Sequence, residues 1–279
     1  MSRIYGMDSS TVKFKLLQPG QYNSSFSSPR IELTEALHDS PLVSAIMVTR
    51  GDLKKVFNSI QLFIRQKWER KELIIVAETN IVPIEEMLCT KKIKYKVVAA
   101  PNKGSEGPLL LGDLRNIGIA ASSGDFVCTW DDDDLYHPAR ISVMMSIIRR
   151  TGADAAILSQ LLLYWYVKAK LALSKKSIWE NSIVLKRSAA IVYPSLAKSS
   201  DNLMVQQLLL SRNVALVEAP YLYVYCVTGQ NTWGADHFQY LFDRAEIHFD
   251  SEKASEIIQG NPAFEGITAY SGNREKSSI

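Results

Sequence analysis

The stretch FVCTWDDDDLYHP, residues 126–138, joins an apolar, strand-like run to four consecutive aspartates, then to an aromatic, a histidine and a proline. Adjacent carboxylates repel one another, so an ordered cluster needs a cation, hydrogen-bond donors or open water. Hard divalent ions such as magnesium or manganese suit acidic oxygen ligands. They take few protein carboxylates and complete their shell with water and phosphate oxygens. The chemistry this points to is a diphosphate held through a divalent ion, and the bland alternative is a solvated acidic loop. Position favours the first reading, because the run follows directly on an apolar strand and precedes a proline-started helix. Asp132 and Asp133 are therefore held from both sides.

The elements that must position these carboxylates are legible from residue 41 onward. PLVSAIMVT is a β-branched run bounded by Pro and Gly, and the next segment places Leu53, Val56, Phe57, Ile60, Phe63 and Ile64 at helical spacing. ELIIVAE and KYKVVAA read as further strands on either side of a short segment near residues 84–90. They are apolar without alternation, as strands covered by helices on both faces are. LGDLRNIGIAASSGDF reads as a helix feeding the strand DFVCTW. HPARISVMMSIIRR reads as a helix with Pro138 in its first turn and a stripe through Ile141, Met144, Met145 and Ile148. The order β-α-β-β-α-β-α predicts an α/β layer fold that binds ligands beyond the carboxyl ends of its strands, where the aspartates fall. In the second half, residues 153–173 and 178–187 read as strands, SSDNLMVQQLLLSR as a capped helix, and VALVEAPYLYVYC as two strands interrupted by Pro220. Residues before about Ser40 read as a Ser-rich extension with a linker, and those after Phe249 as a polar, frayed tail.

Composition bounds the function. The 279 residues are 47% hydrophobic, enough for a substantial core, and the formal charge of +3 is too mild for a nucleic-acid partner. Cys89, Cys128 and Cys226 stand far apart with no C-x-x-C pair, which predicts neither disulfides nor a zinc cluster and fits a reducing cytoplasm. The first residues lack the apolar core of a signal peptide, and the longest apolar run, LSQLLLYWYV, is too short to span a bilayer.

WDDDDLYHPAR resembles the acidic signature of GT-A fold glycosyltransferases, in particular inverting family 2 enzymes, whose pattern is L/W-D-x-D-D-x-x-x-P. VSAIMVTRGD is similar to that family's opening strand and loop, KELIIVAETN to its second strand, and LRNIGIAASSGDF to the R-N-x-G helix before the acidic motif. YPSLAKSSDNLMVQQLL is similar to the segment that carries the catalytic base. WENSIVLKR and YVYCVTGQNTWGADHF resemble the acceptor-side and closing segments of bacterial members that build surface polysaccharides. The resemblance covers residues 41–242 and implies a mostly parallel central sheet with helices on both faces. It implies a transferase domain over 41–249, with a nucleotide-sugar half at 41–137 and an acceptor half at 138–249. Residues 1–40 are then an extension and 250–279 a tail.

By the same resemblance Asp133 is the metal ligand, while Asp131 and Asp132 contact ribose or metal-bound water. Asp134 orients its neighbours or faces the acceptor. Glu78 stands in V-A-E-T-N where the family's V-D-D-G-S places the base-binding Asp, although a surface Glu at a strand end reads the same way. Thr49 and Arg50 occupy the turn that contacts base and phosphate, and Arg115 can reach the diphosphate or serve as an ion-pair partner. Asp201, in S-S-D where the family has G/E-E-D, is the catalytic base or, alternatively, part of a helix N-cap. Trp179 and Glu180 line the acceptor site, Trp179 as a sugar platform or a core residue. His237 is a metal or phosphate contact. Thr228 stands where relatives carry a histidine ligand, and His137 is structural.

The implied function is a manganese- or magnesium-dependent inverting transferase, using a nucleoside-diphosphate sugar, a UDP-sugar first, and a glycan or lipid-linked acceptor of cell-surface polysaccharide such as lipopolysaccharide or capsule. It places the protein in the cytoplasm, with peripheral contact at the inner membrane. Lys168, Lys170, Lys175 and Lys176 either guide a lipid-linked acceptor there or form a solvated loop. The competing classes are a non-catalytic sugar-nucleotide or glycan-binding module of the same fold and a nucleotidyltransferase.

Overall fold

The computed structural model describes residues 11–20, 30–32, 40–101 and 107–267. Its strands and helices follow the order β1 (Thr11–Leu17), β2 (Arg30–Glu32), β3 (Val43–Thr49), α1 (Leu53–Ile64), β4 (Lys71–Ala77), α2 (Val82–Leu88), β5 (Lys94–Ala99), α3 (Leu111–Ala121), β6 (Phe126–Thr129) and β7 (Leu135–Tyr136). There follow α4 (Arg140–Thr151), β8 (Ala155–Leu158), β9 (Leu162–Trp165), β10 (Lys170–Leu173), β11 (Trp179–Lys186), α5 (Ser200–Ser211), β12 (Val214–Glu218), β13 (Tyr223–Val227), α6 (Ala235–Asp243), β14 (Ile247–Phe249) and α7 (Ser251–Ile258).

Strand alternation splits the main core in two. Val43, Ala45 and Met47 of β3 and Leu73, Ile75 and Ala77 of β4 face one side, where they meet Val56, Ile60 and Phe63 of α1, Ile84 of α2 and Ile141 of α4. Ile46, Ile74 and Val127 face the other, against Met204, Val205 and Leu208 of α5, with Ile119 of α3 packed alongside. Because both faces are covered, the strands carry no polar alternation. Gly118 lets α3 lie close, since a Cβ there would sit 2.3 Å from Ile46 Cγ2.

The nine-stranded sheet runs β2-β1-β12-β8-β11-β6-β3-β4-β5. Its pairs β6-β3, β3-β4 and β4-β5 are parallel, as the sequence predicts. The expectation of a mostly parallel sheet needs correction, however, because β11 is inserted antiparallel between β6 and β8, and β1 pairs antiparallel with β12. The sheet is mixed. A second sheet, β14-β10-β9-β13-β7, lies over the second half, with Phe238 and Phe242 of α6 packed on Leu163, Trp165 and Val227.

Both predicted termini are shorter than expected. Residues 11–17, read as extension, form an interior strand that buries Val12, Phe14 and Leu17. Their alternation is short and adjoins a Ser-rich run, which hid it. The segment after 249, read as a frayed tail, contains α7, started by the Asp250 side chain accepting from Lys253 N–H. Ala254, Ile257, Ile258 and Phe264 join the main core. Residues 1–10, 21–29 and 33–39 of the expected extension and 268–279 of the expected tail lie outside the described residues. Strands from both sides of residue 137 interleave in the main sheet.

Candidate active site

Parallel pairing of β3, β4 and β6 brings their carboxyl ends to one edge, which puts Thr49, Glu78 and Asp131–Asp133 side by side. The antiparallel β11 begins at that same edge, so Trp179 and Glu180 overhang it. These residues line a cleft of about 1210 Å³ that also takes in Arg50, Arg115, Asp201 and His237. Every expected site residue except Asp134 therefore faces one cavity.

The acidic run is clamped at both ends. Before it, Trp130 is fully buried, donates Nε1–H to Ser59 O at 3.3 Å and packs edge-on to Phe63. After it, the Tyr136 hydroxyl donates to Asp131 O at 3.0 Å, and the fully buried Arg140 donates to Thr129 O at 3.0 Å while lying 4.6 Å from the Tyr136 ring centre. Pro138 precedes α4 instead of opening it, because the helix starts at Arg140.

Within this frame the four aspartates separate. Asp131 accepts from Arg115 Nη2 at 3.2 Å, and Asp132 accepts from the Thr49 hydroxyl at 2.5 Å. Asp133 accepts from Asn231 Nδ2 at 3.0 Å, with Lys55 Nζ 3.9 Å away. Asp134 turns inward, fully buried, accepting from the Tyr223 hydroxyl at 2.5 Å and Cys226 N–H at 2.8 Å. It orients β7 against β13 and does not face an acceptor, which corrects half of its expected role. Desolvation, opposed by Thr49 and Lys55, pushes Asp132 up to about 6. Desolvation, then the charges of Asp132 and Asp131, pushes Asp133 up to about 7. Asp134 is likewise raised above the ordinary carboxylate range, by burial and then by Asp133. Such an array is short of positive charge.

Arg115 is the other organising group. Its side chain is 5% exposed, it pairs with both Asp131 and Asp201, and it lies 5.5 Å from the Tyr193 ring centre. It thus ties the acidic loop to α5, 86 residues further on by the numbering of Arg115 and Asp201. The N-cap alternative for Asp201 does not hold, since Ser199 occupies the cap position at φ 61° with no side-chain cap bond, and Asp201 lies inside the helix. Its carboxylate points to Arg115 and the cleft. Arg50, 80% exposed, lies 3.9 Å from Glu78. Gly51 takes φ +89° beside Thr79, the left-handed turn that lets its N–H meet Thr49 Oγ1 at 3.0 Å.

At the start of β11 Glu180 accepts from Asn202 Nδ2 at 2.9 Å and is raised by burial. The buried Trp179 Nε1 has no hydrogen-bond partner among the described residues. His237 stacks on Trp233 with centroids 4.5 Å apart and is lowered by burial and by nearby Lys198. His137 accepts from Ala139 N–H and is lowered by burial to about 4, as a structural group. Of the four lysines, Lys175 and Lys176 line the cleft, Lys168 lies 3.5 Å from the Trp165 ring centre, and Lys170 begins β10.

Sequence reasoning missed Lys55, Asn231, Lys198 and Trp233. Lys55 carried a local signal, three residues after Asp52, whose side chain caps α1 by accepting from Lys54 and Lys55 N–H. Asn231 carried none, because its contact with Asp133 spans 98 residues. It stands three residues past Thr228 and accepts Thr228 N–H at 2.8 Å, so an amide approaches Asp133 from the segment where a histidine was expected. Among the described residues no group of three or more His, Cys, Asp or Glu is arranged to hold a metal ion. The carboxylates fit an ion that draws one or two ligands from the protein and the rest from a diphosphate and water. Among the described residues no helix is long and apolar enough to cross a membrane.

Comparison with known proteins agrees with this architecture. Residues 44–165 match the family described as Glycosyl transferase family 2. An uncharacterized glycosyltransferase of Rickettsia bellii is 26% identical over 110 residues, 39% of this chain and 15% of that protein, so the chain matches a small fraction of that relative. Staphylococcus aureus TarS 1-349 in complex with UDP-GlcNAc superposes with TM-score 0.56 at 14% identity, covering 77% of this chain and 70% of that one. The mannosyltransferase PcManGT of Pyrobaculum calidifontis, in complex with GDP-Man and Mn2+, gives TM-score 0.54 at 12% identity over 70% of this chain and 59% of that one. The family match contains Thr49, Glu78, Arg115 and the aspartates, while Trp179, Glu180, Asp201 and His237 lie beyond it. Residues 44–165 thus resemble the Glycosyl transferase family 2, and the chain's fold is of the GT-A type.

Proposed function

We propose that this chain is a divalent-metal-dependent inverting glycosyltransferase, moving a sugar from a nucleoside-diphosphate sugar to a glycan or lipid-linked acceptor in cell-surface polysaccharide synthesis. The observation that carries the reading is the trio Asp131, Asp132 and Asp133, crowded at the carboxyl edge of parallel strands with two of them raised by burial, facing a cleft large enough for a sugar nucleotide. The complexes of TarS with UDP-GlcNAc and of PcManGT with GDP-Man and Mn2+ support the donor class.

Asp133, with Asp131 or Asp132 through water, would hold manganese or magnesium, which when bound offsets the charge on the leaving diphosphate. Thr49 fixes Asp132, and Glu78 with Arg50 flanks the place of the base. Asp201 takes the proton of the acceptor hydroxyl as that oxygen bonds to the anomeric carbon. The bond from that carbon to the diphosphate oxygen breaks on the opposite face, releasing the nucleoside diphosphate. Arg115 holds Asp201 in register with the donor through Asp131. The segment carrying Asp201 is outside the family match, so its role rests on this Arg115 bridge.

The test incubates the protein with UDP-glucose, UDP-N-acetylglucosamine and GDP-mannose with manganese, and reads released nucleoside diphosphate and thermal stabilisation. Stabilisation by UDP or GDP that chelation abolishes, together with release that Asp133→Ala eliminates, is expected. Release insensitive to both Asp133→Ala and Asp201→Asn would sink the mechanism. Nucleotide binding with no release for any acceptor tried would favour the binding-module reading.

A further inference from the structure

We infer that the acceptor end of the cleft selects a sugar bearing an anionic group, a carboxylate or a phosphate ester, next to the hydroxyl that is glycosylated. The inference rests on the transferase reading and adds the charge class of its acceptor.

Among the described residues, the cations lining the cleft fall into a paired and an unpaired set. On the donor side every lining cation has an acidic partner: Arg50 has Glu78, Lys55 has Asp133, and Arg115 has Asp131 and Asp201. At the far rim Lys176 pairs with Glu218 at 3.0 Å. Lys175, Lys198 and Arg244 also line the cleft, yet none of the three is ion-paired among the described residues. Glu180, which lines the same cleft, accepts from Asn202 Nδ2, and Glu246 accepts from Gln160 Nε2 and Lys176 N–H, so neither is paired with these cations.

Two of these cations are also held in place. Lys198 Nζ lies 5.1 Å from the Trp233 ring centre, and Trp233 is stacked on His237. Arg244 packs 4.2 Å from the Tyr240 ring centre. Contacts with aromatic faces order a long side chain without neutralising it. The position is next to the reacting atoms on both strands of chain that lead there. Lys198 stands three residues before Asp201, and Trp233 two residues after Asn231, the amide bonded to Asp133. Lys198 and Asp201 line the same cleft three residues apart, so a sugar whose hydroxyl is held at Asp201 presents its other substituents to the face that carries Lys198. An anionic substituent there would gain charge-assisted hydrogen bonds that a neutral one cannot.

The experiment saturates the full chain with UDP and manganese, which fills the donor side, and titrates three probes by calorimetry. These are cellotetraose, the same oligosaccharide oxidised to a carboxylate at its terminal C6, and the same phosphorylated at that C6. Both charged probes are expected to bind about tenfold tighter than the neutral one at low salt, with the gap closing at high salt. Lys175→Gln, Lys198→Gln and Arg244→Gln combined should reduce the preference to about twofold or less, and Lys198→Arg alone should retain it. All three residues are exposed, so the variants are expected to fold. Equal binding of the three probes, no binding, or a preference that survives the triple substitution overturns the inference. The order of the carboxylate and phosphate probes separates a uronic acid from a phosphate-linked acceptor. Failure of UDP to bind counts against the donor reading alone, and the probe comparison then runs without nucleotide.

Discussion

The two ends of the central sheet carry buried carboxylates in opposite condition. At the amino end Glu72 of β4 accepts from the Ser44 hydroxyl at 2.6 Å, from Ser123 N–H at 2.6 Å and from the Ser123 hydroxyl at 2.7 Å, with Lys94 Nζ at 2.8 Å. Burial works against its charge, but Lys94, Ser44 and Ser123 outweigh it and hold the carboxyl at about 2. At the carboxyl end Asp132 and Asp133 have fewer donors and each other's charge, and they rise to about 6 and 7. The same strands thus bury one satisfied carboxylate and a set of frustrated ones. A saturated site contributes stability, whereas an unsaturated one holds free energy that a cation and a diphosphate can release on binding.

The largest expected effect is catalytic. Asp201→Asn keeps the size of the side chain and removes the proton acceptor, so kcat should fall about 10²–10⁴-fold, with nucleotide affinity changed far less. Steady-state release assays with UDP competition separate the two quantities. An equal loss of affinity would make Asp201 a binding group and dissolve its distinction from the aspartates.

At the opposite end the effect should be on folding. Glu72→Gln leaves the amide competing for donors that a carboxylate satisfies, and is expected to cost about 2 kcal/mol in urea unfolding. A pH series gives the sign. Because the folded value lies below the ordinary 4.5, the contribution is complete above about 4.5 and is lost as pH falls through about 2. The variant should therefore show a shallower loss of stability across that window than the parent chain. If the two curves run parallel, Glu72 is not the anchor described here.

The same contrast explains which parts were legible in the sequence. β3, β4 and β6 were readable as largely apolar runs, whereas β5 is an edge strand that exposes Lys94, Lys96 and Ala99; the carboxylate cluster was readable because Asp131 to Asp134 are contiguous. Which carboxylate turns inward was not readable, since the partners of Asp134, Tyr223 and Cys226, lie 89 and 92 residues away. The antiparallel insertion of β11 has no periodicity of its own, because a strand buried on both faces reads alike in either direction. Residues 11–17 show the reverse: their burial depends on pairing with β12, about two hundred residues along, and nothing local announces it. The expectation that Arg115 and Asp201 belong to the site came from motif position, while the bridge between them required the fold.

The smallest effect is the most discriminating. Asp133→Asn retains the shape of the side chain and its oxygen facing Asn231, and removes one charge from a group raised by burial and by Asp132. In metal-free protein this should raise stability by about 1 kcal/mol, as relief of local repulsion at a functional site does. The weak 3.9 Å approach of Lys55 is the only attraction among the described ion pairs that the substitution gives up. With manganese and UDP present the order should invert, because the parent chain gains the ligand's mass-action stabilisation and the variant does not. Thermal unfolding of both chains, with and without manganese and UDP, measures this directly. A variant that is less stable without metal would mean that Asp133 is as well satisfied as Glu72, and the carboxyl edge would then hold no charge deficit for a diphosphate-bound ion to fill.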